Sequence, residues 1–155
     1  MSLQRAKEHL SKFNMADRII EFNSSSATVS EAAKAAGCTE GEIAKTLSFI
    51  VGEKPILIVV AGDVKIDNSK YKTEYHSKAK MLPFEDVEKT IGHAVGGVCP
   101  FGIKENVSVY LDISLKRFCM VYPACGSSNS AIKLTIEELE KTSGYLKWVD
   151  VCKQS

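Results

Sequence analysis

The stretch IAKTLSFIVGEKPILIVVAG, residues 43–62, decides the fold because it contains two strand-like runs separated by a turn. TLSFIV (46–51) and ILIVVAG (56–62) are rich in β-branched residues, and GEKP (52–55) has the length of a hairpin turn. The pattern predicts an antiparallel strand pair in the core. Lys45 is anomalous here, since a buried ammonium is costly unless it is paired or faces a polar cavity. Lys45 therefore lies either on a solvated edge or at a site.

Helical and strand patterns alternate along the rest of the chain. Capping boxes at Thr28–Glu31, Thr39–Glu42 and Thr135–Glu138 mark three helix starts, and Gly37 is placed to end the first of these helices. Helices are predicted at 3–13, 29–36, 40–45, 68–76, 83–92 and 135–144. Further strands are predicted at 18–22, 107–115, 118–126, 130–134 and 145–151.

The order of these elements indicates an α+β protein. Several strand pairs have short connections, which imply antiparallel pairing, and no regular βαβ units occur. We expect a mixed, curled β-sheet with helices packed outside it. The chain has 155 residues, 45% of them hydrophobic, and no linker or repeat divides it, so residues 1–155 are predicted to form one domain.

Charge and cysteine content argue against several classes of protein. Twenty lysines and arginines nearly balance 19 acids, giving a net charge of +1, so DNA and globally basic nucleic-acid binding are not expected. No apolar stretch approaches the roughly 20 residues of a membrane span, and no signal peptide is recognisable. Five cysteines without a C-x-x-C pattern indicate reduced thiols in the cytoplasm, and the aspartates show no metal-ligand spacing. Neither a metal nor another cofactor is expected.

The segment GHAVGGVCPFG, residues 92–102, has four glycines and one proline in eleven residues. Glycine permits positive φ and close backbone approach, so such a loop can aim N–H groups at a phosphate or a carbonyl oxygen. The alternative is a tight structural connection. It is not a P-loop, because Ile103 separates the last glycine from Lys104.

A second turn lies in YPACGSSNSAIKL, residues 122–134, where Gly126 is followed by Ser127, Ser128 and Asn129. The segment is either a simple polar hairpin turn or a loop that presents hydroxyls and an amide to a ligand.

No protein nucleophile is evident from motifs. The chain has no G-x-S-x-G elbow and no H-E-x-x-H helix. His93 and Cys99 share one loop and could form a thiol–imidazole pair. With three histidines and five cysteines in the chain, coincidence is the better explanation.

The segment KIDNSKYKTEYHSKAK, residues 65–80, is locally basic, since five lysines outnumber two acids. It is either a solvated helix face or a surface that receives nucleic acid.

Four segments together resemble the YbaK/prolyl-tRNA synthetase-associated editing domain family. They are IAKTLSFIV (43–51), ILIVVAGD (56–63), GGVCPFG (96–102) and ACGSSNSAIKLT (124–135). The resemblance covers roughly residues 26–151. It implies a central mixed, barrel-like sheet and a free-standing, trans-acting deacylase that hydrolyses the ester of mischarged aminoacyl-tRNA. The implied substrate is tRNA for proline carrying a small wrong amino acid, bound by its acceptor end, and prolyl-tRNA synthetase is an implied further partner.

The resemblance also assigns residues. Lys45 matches the essential lysine of the family, which would point into the pocket as a fixed cation while water or a substrate hydroxyl attacks the ester. The implied catalytic residues are Lys45, Gly96, Gly97 and Gly126. The implied substrate-binding residues are Ser26, Thr28, Pro100, Phe101, Gly102, Ser127 and Asn129. Some members carry charged residues where this chain has Ser127, Ser128 and Ala131, so their substrate preference does not transfer.

Two other functions stay open. The domain could bind aminoacyl-tRNA or nucleotides without turnover, or it could be a module that docks a synthetase.

Overall fold

The computed structural model describes residues 2–155, which form a mixed sheet with helices outside it. The helices are α1 (Ser2–Ser11), α2 (Val29–Ala36), α3 (Asn68–Tyr75), α4 (Phe84–Ile91) and α5 (Ile136–Ser143). The strands are β1 (Ile20–Glu21), β2 (Ile43–Val51), β3 (Lys54–Ala61), β4 (Val64–Ile66), β5 (Ser108–Asp112), β6 (Met120–Pro123), β7 (Ser130–Ala131), β8 (Leu134–Thr135), β9 (Lys147–Val149) and β10 (Cys152–Gln154).

The predicted hairpin is the centre of the main sheet. β2 and β3 pair antiparallel from Ala44 opposite Ala61 to Val51 opposite Lys54. Only Gly52 and Glu53 connect them, and Gly52 has a φ of 63°, which glycine adopts readily. Every residue of β3 after Lys54 is buried, because strands flank it on both sides.

Six strands form this sheet in the order β8-β6-β2-β3-β5-β9, and it curls into a half-barrel. β2 pairs parallel with β6, and β3 pairs parallel with β5, whereas β2 with β3 and β6 with β8 are antiparallel. The predicted α+β class and the mixed, barrel-like sheet are therefore confirmed. Helix α1 packs on the core through Ala6 and Leu10, which are fully buried.

Several predicted elements differ from those observed. The Thr39–Glu42 box caps only a 3₁₀ turn at Glu40–Glu42, and residues 43–45 belong to β2 rather than to a helix, because pairing with β3 begins there. Residues 113–117 form a 3₁₀ turn rather than the end of a strand, since the Asp112 carboxylate caps it by accepting from the Ser114 N–H.

The strand predicted at 18–22 is shortened to β1, and the one predicted at 130–134 is divided into β7 and β8. β4 and β10 were not predicted. They pair with each other although they lie far apart in the sequence, with Ile66 opposite Cys152.

Candidate active site

A cavity of about 360 Å³ lies beside β2. Its walls come from β2, from the segment 26–32 around the start of α2, from the segment 81–87 around the start of α4, and from the loop after α4. Most of the lining side chains are small or apolar. Lys45 is the one charged residue among the described residues that line the cavity.

Lys45 is partly buried, and its Nζ donates a hydrogen bond to the Val64 carbonyl oxygen at 2.6 Å. It takes part in none of the ion pairs found among residues 2–155. Burial lowers the pKa of the ammonium, and Cys152 and Asp63 oppose that shift. Because an ammonium has three donors, two remain beyond the bond to Val64. Lys45 is thus an anchored cation on the cavity wall without a paired acid.

The two glycine turns meet at Gly97. A Cβ atom on Gly97 would lie 2.6 Å from the Gly126 carbonyl carbon and from the Ser127 nitrogen, so only glycine fits between the loops. Gly126 has a φ of 90°, and a Cβ there would collide with the Ser2 carbonyl of α1. The structure therefore brings the two predicted turns into direct contact.

Gly96, next to this contact, lines the cavity itself with a φ of 97°. A Cβ atom on Gly96 would lie 3.3 Å from the Ala27 side chain, which also lines the cavity. Gly97 and Gly126 do not line the cavity. Their close contact instead fixes the position of the loop that contains Gly96.

Ser26 and Thr28 line the cavity, and both have structural partners. The Ser26 N–H donates to the Ser128 carbonyl at 2.6 Å, which ties segment 26–28 to the second glycine turn. The Thr28 hydroxyl accepts from the Glu31 N–H at 3.1 Å as the N-cap of α2. These contacts fix the wall on this side of the cavity.

Five predicted substrate-binding residues lie outside the cavity lining: Pro100, Phe101, Gly102, Ser127 and Asn129. Phe101 is buried with its ring 5.8 Å from that of His9, and the Gly102 carbonyl accepts from Arg5 Nε at 2.7 Å. These two contacts join the first glycine loop to α1.

Ser127 and Asn129 stabilise the second turn through hydrogen bonds to other residues. The Ser127 hydroxyl donates to Ser130 Oγ at 2.6 Å, and Asn129 Nδ2 donates to the Phe22 carbonyl at 3.1 Å. Direct contact of these residues with a substrate stays a prediction.

Cys99 and His93, which share one loop, also lie in contact, with the sulfur 3.5 Å from His93 Nε2. However, both are fully buried outside the cavity lining, and His93 Nε2 donates to the Phe101 carbonyl at 2.6 Å. Burial lowers the pKa of His93 and raises that of the Cys99 thiol to about 12. His93 Nε2, the ring nitrogen beside the sulfur, carries the proton that it donates to the Phe101 carbonyl, so it cannot accept the proton of the thiol. The pair therefore does not form an active nucleophile.

Sequence reasoning missed part of the cavity wall. Thr46 and Ser48 lie on it, and the Thr46 hydroxyl is buried without a hydrogen-bond partner among the described residues. Two small hydroxyl residues at alternate positions of a strand in the core are the signal that could have revealed them. The other missed residues are mainly apolar, and they include Met81, Phe84, Val95, Tyr122, Ala124 and Ala131.

Residues 2–155 contain no group of three His, Cys, Asp or Glu side chains arranged to hold a metal ion. The same residues include no helix that is long and apolar enough to cross a membrane.

Comparison with known proteins gives consistent matches. A family model described as "Aminoacyl-tRNA editing domain" matches residues 23–142. The uncharacterised protein YwhH of Bacillus subtilis (strain 168) is 50% identical over 154 residues, which cover 99% of this chain and 98% of YwhH. EbsC of Enterococcus faecalis (strain ATCC 700802 / V583), named as a candidate Cys-tRNA(Pro)/Cys-tRNA(Cys) deacylase, is 31% identical over 110 residues, which cover 69% of this chain and 66% of EbsC. The crystal structure of a candidate trans-editing enzyme for prolyl tRNA synthetase aligns with a TM-score of 0.88 and 27% identity, covering 98% of this chain and 97% of that chain.

Proposed function

The chain belongs to the aminoacyl-tRNA editing domain family, and on that premise we propose that it is a hydrolase that cleaves the ester bond of mischarged aminoacyl-tRNA. The proposed substrate is tRNA for proline that carries a small wrong amino acid. The name of the relative EbsC supports this class of substrate. The chemistry of the cavity supports the reaction.

The composition of the cavity wall favours attack by water or by a hydroxyl of the substrate. Lys45 is its one charged residue, and no cysteine, histidine or carboxylate is among the described residues that line it. Its serine and threonine hydroxyls have no neighbouring base on the wall. A site of this kind can catalyse hydrolysis by positioning an ester beside a fixed cation and backbone dipoles.

In this mechanism, Lys45 acts as an electrostatic group rather than as a base. We propose that its two remaining N–H donors bind the ester carbonyl or the terminal phosphate, while the bond to Val64 keeps the ammonium in place. Negative charge grows on the carbonyl oxygen as the oxygen nucleophile attacks. The fixed charge stabilises that oxyanion without having to reorganise. When water is the nucleophile, the ester C–O bond then breaks, one proton of the water passes to the departing ribose oxygen, and the free amino acid and the deacylated tRNA leave. A ribose hydroxyl that attacks first only moves the acyl group between the two ribose oxygens, so water must still cleave the ester.

We further propose that the protein acts in trans, in the cytoplasm where tRNA is charged. Support comes from YwhH, which is matched over 98% of its length, and from the likeness to a candidate trans-editing enzyme. Transient contact with prolyl-tRNA synthetase would deliver the mischarged tRNA before it is used.

A panel of aminoacylated tRNAs tests this proposal. The purified protein should release the amino acid from tRNA(Pro) carrying alanine, cysteine or serine, and should leave proline on the same tRNA. If it binds these tRNAs without releasing any amino acid, the domain is a non-catalytic binder. If it binds only the synthetase, it is a docking module.

A further inference from the structure

Three large apolar side chains are exposed at the cavity: Met81, Phe84 and Val95, here called the apolar rim. Their exposed fractions are 56%, 75% and 48%, and all three also line the cavity. Among residues 2–155, six large hydrophobic side chains are exposed, so half of them lie at this one opening. Exposed apolar side chains that cluster in this way commonly mark a binding site.

The rim is held in place by the backbone on either side of it. Met81 forms an isolated β-bridge with Phe49 of β2, and the Leu82 N–H donates to the Ser48 carbonyl at 3.1 Å. Pro83, with a φ of −57°, is the N-cap of α4, and Phe84 is its first residue. Because proline and the helix both restrict the backbone, the Phe84 ring is presented from a fixed position.

Basic residues precede the rim. Lys78 and Lys80 are exposed and take part in none of the ion pairs found among residues 2–155. On the other side, Asp86 is paired with Lys89 at 2.9 Å, whereas Glu85 and Glu88 of α4 take part in none of the ion pairs found in the described chain. Lys78 and Lys80 precede Phe84 by six and four residues in the sequence. An exposed aromatic ring combined with basic residues is the composition that sites for unpaired nucleotides use.

We propose that the apolar rim binds the unpaired terminal nucleobase of the tRNA acceptor end, with Phe84 as the stacking surface and Lys78 and Lys80 beside the adjoining phosphates. The inference rests on the proposed function, because the ester and the terminal base belong to the same nucleoside. An ester held against Lys45 inside the cavity places that base at the mouth of the cavity. Stacking on an aromatic ring tolerates any base, so selection of the amino acid is left to the cavity.

Steady-state deacylation separates stacking from general packing. Phe84→Ala and Phe84→Leu should each raise KM for mischarged tRNA about tenfold and leave kcat nearly unchanged, whereas Phe84→Tyr should behave as wild type. Leu146→Ala is the matched control, since Leu146 is 63% exposed and lies outside the cavity lining. If Phe84→Leu matches wild type, or if Leu146→Ala raises KM equally, stacking at the rim is wrong.

A binding measurement tests the inference without turnover. When a short RNA with the tRNA 3′ sequence and no attached amino acid is titrated into a Phe84→Trp variant, the tryptophan fluorescence should fall to a plateau. The fluorescence of the wild type, whose one tryptophan is Trp148, should not change. Lys78→Ala with Lys80→Ala should weaken this binding and reduce its dependence on salt. Quenching without any ester hydrolysis would overturn the proposed function and keep the rim as a nucleotide site. Absence of quenching, or a change that occurs only when a synthetase is added, would overturn the inference.

Discussion

The sheet can hold the ammonium of Lys45 because a backbone carbonyl accepts one hydrogen bond from it and the adjoining cavity can solvate the rest of it. A buried lysine without an acidic partner is costly, and burial accordingly lowers its pKa. Groups with such shifted pKa values cluster at functional sites. The sequence revealed Lys45 as an anomaly in an apolar run, but it could not reveal the bond to Val64, which depends on where β4 turns back towards β2.

The reactivity of the cysteines can be tested at the residue scale. Cys99 and Cys125 are fully buried, and burial raises the pKa of both thiols. A thiol-specific reagent should therefore label exposed Cys119 in the folded protein and reach Cys99 and Cys125 only after unfolding.

Cys99→Ala and Cys125→Ala should each keep most of the deacylase activity. Loss of turnover in either variant, with an intact fold, would restore a thiol mechanism.

At the scale of elements, the contact between the two glycine turns shapes the cavity. Gly97→Ala places a methyl group against the Gly126 backbone, so we expect a loss of about 1–3 kcal/mol in the free energy of unfolding, together with reduced deacylation. Gly52→Ala is the matched control, because nothing lies within 4 Å of its Cβ position and only its positive φ opposes the change. Chemical denaturation measures both. A Gly97→Ala variant as stable and active as wild type would mean that the loops do not need this contact.

The ion pair between Arg18 and Glu138 links the turn before β1 to α5. The two side chains lie 2.7 Å apart, and the hydrogen bond from Arg18, together with those from Thr135, lowers the pKa of Glu138 from 4.5 to about 2. A lowered carboxyl pKa stabilises the fold above pH 4.5, and this contribution is lost as the pH falls from 4.5 towards 2.

Melting temperatures across this pH range test the linkage. Arg18→Ala should lose less stability than wild type between pH 4.5 and pH 2, because the carboxyl pKa is then closer to its unfolded value. Lys12→Ala, which removes an exposed lysine outside the ion pairs of the described chain, is the control for charge. Parallel curves for wild type and Arg18→Ala would show that the pair does not act in this way.

Local sequence signals predicted the elements where local interactions decide the structure. The boxes at Thr28–Glu31 and Thr135–Glu138 cap α2 and α5 as expected, and Gly37 ends α2 with a φ of 71°. The β4–β10 pair was missed because two three-residue strands far apart in the chain leave no periodic pattern. The box at Thr39–Glu42 forms, but the helix predicted after it is limited to a 3₁₀ turn because the pairing of β2 with β3 begins there.

At the scale of the whole molecule, the sheet explains why the candidate site was only partly predictable. Lys45 and the two glycine turns could be chosen from the sequence itself, because a lysine in an apolar run and clustered glycines are unusual, whereas Ser26 and Thr28 were chosen through the family resemblance. The apolar half of the cavity could not, since Met81, Phe84 and Val95 look like ordinary core residues until the sheet curls and leaves them at an opening.

Single-turnover hydrolysis of mischarged tRNA(Pro) by Lys45→Met tests the central claim most directly. Methionine keeps the apolar stem of the side chain and removes its charge, so the rate should fall about 10²–10³-fold. The stability should remain within about 1 kcal/mol of wild type or rise, because a costly charge is lost with one hydrogen bond. A variant that hydrolyses the ester at the wild-type rate per folded molecule, or one that is destabilised by about 3–5 kcal/mol yet active, would show that Lys45 is structural.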